Sequence, residues 1–207
     1  MIGALALDRT VLDWFVAHRE PWLSTVFEVV TVLGSSVFLI PLVVAVGAWC
    51  WQRHGTSRPF ALLAASYLGA YVMSQSLKAI IGRPRPPVGV AIGHYAGYAF
   101  PSGHATQVAA VWLMLAAVVV AAVPSSRHKM WVWVAATSTV VVVGITRLYL
   151  AAHWLTDVLG GWAFGSLWFL AVLGAAKAIS GRREPPGARA RIGACAPLPS
   201  TPTGSPN

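Results

Sequence analysis

Nine residues between positions 78 and 157 have the types and spacing to handle a multiply charged anion. Lys78 and Arg85 flank Arg83 in Lys-Ala-Ile-Ile-Gly-Arg-Pro-Arg-Pro. Pro84 and Pro86 stop a helix there and stiffen the chain, so Arg85 is presented from a fixed turn. Pro101-Ser102-Gly103-His104 precedes an apolar stretch. Ser102 suits an N-cap, and a helix starting there aims backbone N–H groups and its positive dipole end at an anion, with His104 beside it. Arg147, His153 and Asp157 form the third cluster. Four residues apart, His153 and Asp157 are expected on one helical face. A carboxylate bonded to one ring nitrogen fixes the tautomer and frees the other nitrogen to attack. Asp157 alone cannot neutralise Lys78, Arg83, Arg85 and Arg147. The surplus points to phosphate, because arginine forks match its oxygens and lysine supplies a point charge.

The scaffold for these groups follows from composition. The 207 residues are 57% hydrophobic and 10% charged, and mean hydropathy is +0.66. A soluble domain carries about 25% charged residues, so a water-soluble globule and a disordered polymer are both poor readings. Apolar runs at Val37–Trp51, Phe60–Ile81, Ala105–Val123, Met130–Leu150 and Leu155–Ala176 approach or reach the length needed to span about 30 Å of hydrocarbon. The expected fold is all-α: an integral membrane bundle of five to six transmembrane helices with an N-terminal interfacial helix. Residues 7–20 alternate charge and bulk at helical spacing and read as that interfacial helix. Trp22–Ser36 is apolar but carries Glu28 and several hydroxyls, so it is either a kinked or re-entrant segment or a sixth crossing, with Gly34-Ser35-Ser36 as the break. Residues 1–180 read as one membrane domain and 181–207 as a basic, Pro-rich, disordered cytoplasmic tail.

The chain carries 15 Lys and Arg against 6 Asp and Glu. Nucleic acid is not the expected partner, because these charges sit in short segments between apolar runs. Arg53 and Arg58, Arg127 and Lys129, and the tail arginines fall on one side, which the positive-inside rule makes cytoplasmic. The chemical cluster then lies at the outer end of a multi-pass plasma-membrane protein. Trp49, Trp51, Trp131, Trp133 and Trp154 are placed as an aromatic belt. Asp8, Arg9 and Asp13 interrupt any signal-peptide core. Cys50 and Cys195 are not expected to form a structural disulfide.

Each feature also has a plainer meaning. Lys78 could snorkel to the interface, Ser102 could be an ordinary cap, and His153–Asp157 a structural pair. Arg83 is read as an anchoring charge, a supporting cation or a contact to a second phosphate. His94 reads as a loop residue facing water, and Gly161-x3-Gly165 as helix packing.

Taken in order, Lys-x6-Arg-Pro (Lys78, Arg85, Pro86), Pro-Ser-Gly-His (101–104) and Arg-x5-His-x3-Asp (147–157) resemble the three signature motifs of the type 2 phosphatidic acid phosphatase superfamily. Thr146 stands before Arg147 where that family commonly has serine. The resemblance implies a bacterial membrane lipid phosphatase needing no metal or other cofactor. It implies His153 as nucleophile through a phosphohistidine, Asp157 as its orienting group, and His104 as acid and then base. Lys78, Arg85, Ser102, Gly103 and Arg147 would hold the phosphoryl oxygens.

A site at the membrane–water boundary suits a phosphate carried on a lipid, reached without leaving the bilayer. The resemblance suggests polyprenyl (undecaprenyl-type) diphosphate first, then phosphatidylglycerol phosphate or phosphatidate, with the loop Pro87–Ala99 and its Tyr95 and Tyr98 at the headgroup. The same motifs would serve a lipid-linked phosphotransferase, and a non-catalytic lipid-phosphate binding or transport protein is a further alternative. Vanadate-dependent halide oxidation shares the cluster, but five apolar spans argue against it. The oligomeric state stays open.

Overall fold

A computed structural model describes residues 4–182, and among them every regular element is helical. Two short helices, α1 (Ala6–Ala17) and α2 (Pro21–Val30), lead through a 3-10 turn at Thr31–Gly34 to α3 (Ser36–His54). Then come α4 (Arg58–Ile81), α5 (Gly103–Ala122), α6 (Ser126–Tyr149) and α7 (Leu155–Arg182). The five helices from α3 to α7 are long and apolar enough to cross a membrane, while Pro21–Gly34 is a shorter apolar stretch. The proposed single helix over residues 7–20 is instead broken near Arg19, and Pro21 opens a new helix at its first turn, where its missing N–H costs nothing.

Residues 4–173 form one unit, and the described part of the second, 174–182, is the end of α7. Residues 183–207, which include most of the expected tail and Cys195, lie outside the described residues. Cys50 is a buried free thiol.

Short connections at 55–57, 123–125 and 150–154 turn successive helices back on one another. The C-terminal ends of α4 and α6 and the N-terminal ends of α5 and α7 therefore gather at one end. Arg53, Arg58, Arg127 and Lys129 sit at the other end, on α3, α4 and α6. Helix α5 is the central one: half of its apolar window is buried, against 22% for α3. One core joins Leu39, Val43, Leu63, Tyr67, Val111, Met114 and Phe169, and a second joins Val108 and Ala109 to Val140 and Val143. Side chains facing outward are apolar as well, with Val37 82% and Ile80 78% exposed. That inverted pattern belongs to a bundle whose solvent is hydrocarbon.

Gly161 and Gly165 set the approach of α7 to α5. A Cβ on Gly165 would lie 2.3 Å from the Thr106 carbonyl oxygen and 2.8 Å from Ala109 Cβ; one on Gly161 would meet the Ser102 carbonyl oxygen at 2.8 Å. The small residues let two backbones touch, which seats the start of α5 against the start of α7. Gly165→Ala should cost about 1–3 kcal/mol by overpacking, seen as a thermal midpoint several degrees lower in detergent. An unchanged midpoint would mean that the contact is not tight.

Candidate active site

Lys78, Arg83, Arg85, Ser102, Gly103, Arg147, His153 and Asp157 all come from the same end of the bundle, and His104 is on the first turn of α5. The α5 start is built as its sequence requires. Ser102 is extended (φ −67°, ψ 115°), and its side chain accepts from the Ala105 N–H at 3.5 Å. Its own N–H donates to the Asp157 carbonyl at 2.9 Å, which ties the Ser-Gly-His segment to α7. The first amides of a helix have no acceptor within the helix, so the Gly103 end of α5 is a donor surface. His104 packs by the 3-10 turn: a Cβ on Gly34 would come within 3.4 Å of its Cδ2.

His153 and Asp157 do not share a helical face. Helix α6 ends at Tyr149, and the chain reverses through Ala151, which takes a left-handed conformation (φ 51°) while buried. The Ala152 N–H donates to the Arg147 carbonyl at 3.0 Å and the Ala151 N–H to the Leu148 carbonyl at 2.9 Å. That is the capping pattern for which glycine is usual. His153 thus lies in the turn before α7, and Asp157 is in the helix's first turn. Asp157 Oδ2 accepts from the Trp154 N–H at 2.9 Å and stands 3.5 Å from His153 Nδ1. The separation is long for a hydrogen bond, yet the carboxylate faces that nitrogen.

The other ring nitrogen decides the tautomer. His153 Nε2 is 3.2 Å from Arg85 Nη1. A guanidinium only donates, so Nε2 carries the lone pair and Nδ1 carries the proton toward Asp157. Burial comes first among the causes that hold the His153 pKa well below 6.5, followed by the positive charges of Arg85, Arg147 and Lys78 and the nearby His104. The folded ring therefore resists the proton that the unfolded chain would take up near 6.5. This histidine makes stability fall as pH drops below about 6.5, because the unfolded state binds the extra proton. A thermal midpoint that declines between pH 7 and 5 in wild type, and less so in His153→Gln, is the expected result; identical slopes would refute it.

The cations take different partners. Arg83, 2% exposed, is held between two carboxylates: its Nη1 reaches Asp157 Oδ1 and its Nη2 reaches Asp8 Oδ2, each at 2.5 Å. It is a structural bridge, and the reading of it as a surface anchor or a second-phosphate contact gives way to that. The surplus positive charge is accordingly carried by three groups, Lys78, Arg85 and Arg147, none of which pairs with a carboxylate among the described residues. Lys78 Nζ donates to the Tyr98 carbonyl at 2.6 Å. Arg85 donates to the carbonyls of Ala96, Gly97 and Ala152; burial, the largest cause, lowers its pKa. Arg147 is 3% exposed, donates to Thr31 Oγ1 at 3.0 Å and lies 4.8 Å from the Tyr95 ring centroid. Arg85 lies 5.8 Å from the same ring.

Cavities of about 280 and 270 Å³ flank the Ala96–Gly97 segment, and Arg85 lines both. Lys78 lines the second. His94 faces outward on the rim of the first.

Four contributors have no local sequence signal: Asp8, Arg19, Thr31 and Tyr149. Arg19 joins the end of α1 to the Tyr149 and Val90 carbonyls. Tyr149 OH donates to the Glu20 carbonyl and accepts from the Glu20 N–H. Trp154 is not part of an aromatic belt. It is 8% exposed and donates through Nε1 to the Pro84 carbonyl, with Arg83 6.0 Å from its ring centroid.

The fold and the site together define a multi-pass helical membrane phosphatase. Residues 59–179 match the PAP2 superfamily, and the chain belongs to that family. Phosphatidylglycerophosphatase B of Bacillus subtilis (strain 168) is 36% identical over 168 residues, covering 81% of this chain and 82% of that protein. A lipid A 1-phosphatase of Rhizobium etli is 31% identical over 195 residues, 81% and 78% of the two chains. An undecaprenyl-diphosphatase of Sulfolobus acidocaldarius is 30% identical over 111 residues, about half of each chain. The crystal structure of the transmembrane PAP2-type phosphatidylglycerolphosphate phosphatase from Bacillus subtilis superposes with a TM-score of 0.79 at 36% identity, covering 83% of this chain and 85% of that one.

Proposed function

We propose that the chain removes phosphate from a membrane lipid phosphate at the extracytoplasmic face of the plasma membrane, through a phosphohistidine on His153. The observation that carries this reading is the His153 ring: buried, neutral, with its lone pair on Nε2 beside Arg85 and its Nδ1 toward Asp157.

In this reading a phosphoryl group displaces the carbonyls from Lys78 and Arg85 and engages Arg147, Ser102 Oγ and the Gly103 N–H. Nε2 attacks phosphorus as the bond to the lipid oxygen breaks, and His104 gives that oxygen its proton. Asp157 holds Nδ1–H as the ring becomes cationic. His104 then takes a proton from water, the water oxygen attacks phosphorus, the P–N bond breaks, and orthophosphate leaves. Three fixed cations stabilise the charge on the equatorial oxygens in both steps.

The outward orientation is supported by the basic residues at the opposite helix ends. Phosphatidylglycerophosphate is placed first among substrates, because similarity to the relative named for it runs through four-fifths of both chains. That reverses the order the motifs alone suggested. Polyprenyl diphosphate stands second, on a similarity covering half the chain. Residues 1–180 act as one catalytic domain.

A panel of phosphatidylglycerophosphate, phosphatidate and polyprenyl diphosphate with protein in detergent tests this. Phosphate release with chelator present is expected, fastest on the first lipid. No release from any, or release only with added divalent metal, would overturn it. Transfer of the phosphoryl group to a hydroxyl acceptor in place of water would identify a phosphotransferase.

A further inference from the structure

The mechanism above uses neither Asp8 nor Arg83, although both are as buried as the residues it does use. Asp8 lies in the first turn of α1, outside the stretch that matches the family. Both its oxygens are taken up by the start of α7. The Thr156 N–H donates to Oδ1 at 2.9 Å, Thr156 Oγ1 stands 3.0 and 2.9 Å from Oδ1 and Oδ2, and Arg83 Nη2 reaches Oδ2. Arg83 Nη1 contacts Thr156 Oγ1 at 2.7 Å as well as Asp157 Oδ1. The result is a closed circuit of Asp8, Arg83 and Thr156, to which Asp157 Oδ1 is joined through Arg83, while Asp157 Oδ2 accepts from the Trp154 N–H and faces the histidine.

A guanidinium beside a single carboxylate prefers the two-pronged arrangement and binds both oxygens. Asp8 occupies one prong, so Arg83 has Nη1 for Asp157 Oδ1 and leaves Oδ2 to the Trp154 N–H and His153. Burial raises the Asp8 pKa, but hydrogen bonds from Thr156, Arg83 and the Leu5 N–H outweigh it and hold the pKa below its usual value. The carboxylate is charged, as the competition requires.

We propose that Asp8 is a positioning residue: by holding Arg83 to one bond with Asp157, it keeps the Asp157 carboxylate rotated toward His153 Nδ1. This rests on the function proposed above.

The test uses the full chain in detergent and a lipid phosphate that wild type hydrolyses. Asp8→Asn keeps the shape and the Thr156 contacts but loses the charge. It should lower kcat roughly 10-fold or more and move KM less than about 2-fold. In an Asp157→Asn background Asp8→Asn should add nothing, since the two act through one group. An unchanged kcat, or losses that multiply in the double variant, would overturn the proposal. Should Asp8→Asn fail to accumulate folded, Thr156→Val removes the shared hydroxyl and carries the same expectations. The His153→Ala control separates the two readings. If it is inactive while Asp8→Asn is fully active, the positioning role falls and the phosphatase reading stands. If wild type releases no phosphate from any lipid, both fall.

Discussion

His153→Ala should reduce phosphate release by roughly 10⁴-fold or more, the loss seen when a hydrolase is deprived of its nucleophile. Nε2 carries a lone pair aimed at Arg85, which can only donate to it. The lost ring is neutral, so Lys78, Arg85 and Arg147 keep their charge and substrate binding should survive with KM changed only a few-fold. Wild type mixed rapidly with substrate should form an acid-labile phosphoryl adduct on His153, and the variant should form none. Full turnover in His153→Ala would remove the covalent mechanism while leaving family membership untouched.

The second large effect is on folding. Arg83→Met replaces the guanidinium with an apolar chain and leaves Asp8 and Asp157, both 0% exposed, without the cation between them. Removing one partner of a buried ion pair costs about 3–5 kcal/mol, because the other charge stays buried and uncompensated. At about 2–4 °C per kcal/mol for a chain of this size, the thermal midpoint should fall by roughly 10 °C. Adding Asp8→Asn to Arg83→Met should recover part of that loss. A midpoint equal to wild type would show that the two carboxylates do not need Arg83.

The contrast between these two sites shows what is legible in a sequence of this kind. The long helices are, because about 20 consecutive apolar residues have few other uses: the run Phe60–Ile81 becomes α4 from Arg58 to Ile81, and Ala105–Val123 becomes α5 from Gly103 to Ala122. The Ser102 cap is legible too, since its partner is three residues away. Asp8 is not, because its partners at 83 and 156 are brought to it by the tertiary fold alone. Thr31 beneath Arg147 and the Tyr95 ring over two arginines are hidden for the same reason. Ala151 is hidden differently. A left-handed residue at a helix-ending turn is announced by glycine, and alanine gives no such notice. Without it the His153–Asp157 spacing reads as helix when it is a reversal followed by a first turn.

The carbonyls of Ala96, Gly97 and Tyr98 occupy Lys78 and Arg85, so the resting enzyme carries its own weak competitor. In the proposed reaction an arriving phosphoryl oxygen would trade against a neutral dipole already in place, which would lower affinity for product and reactant alike. The benefit would fall on the last step of that cycle: with the backbone reclaiming the cations as orthophosphate departs, product inhibition would be kept shallow.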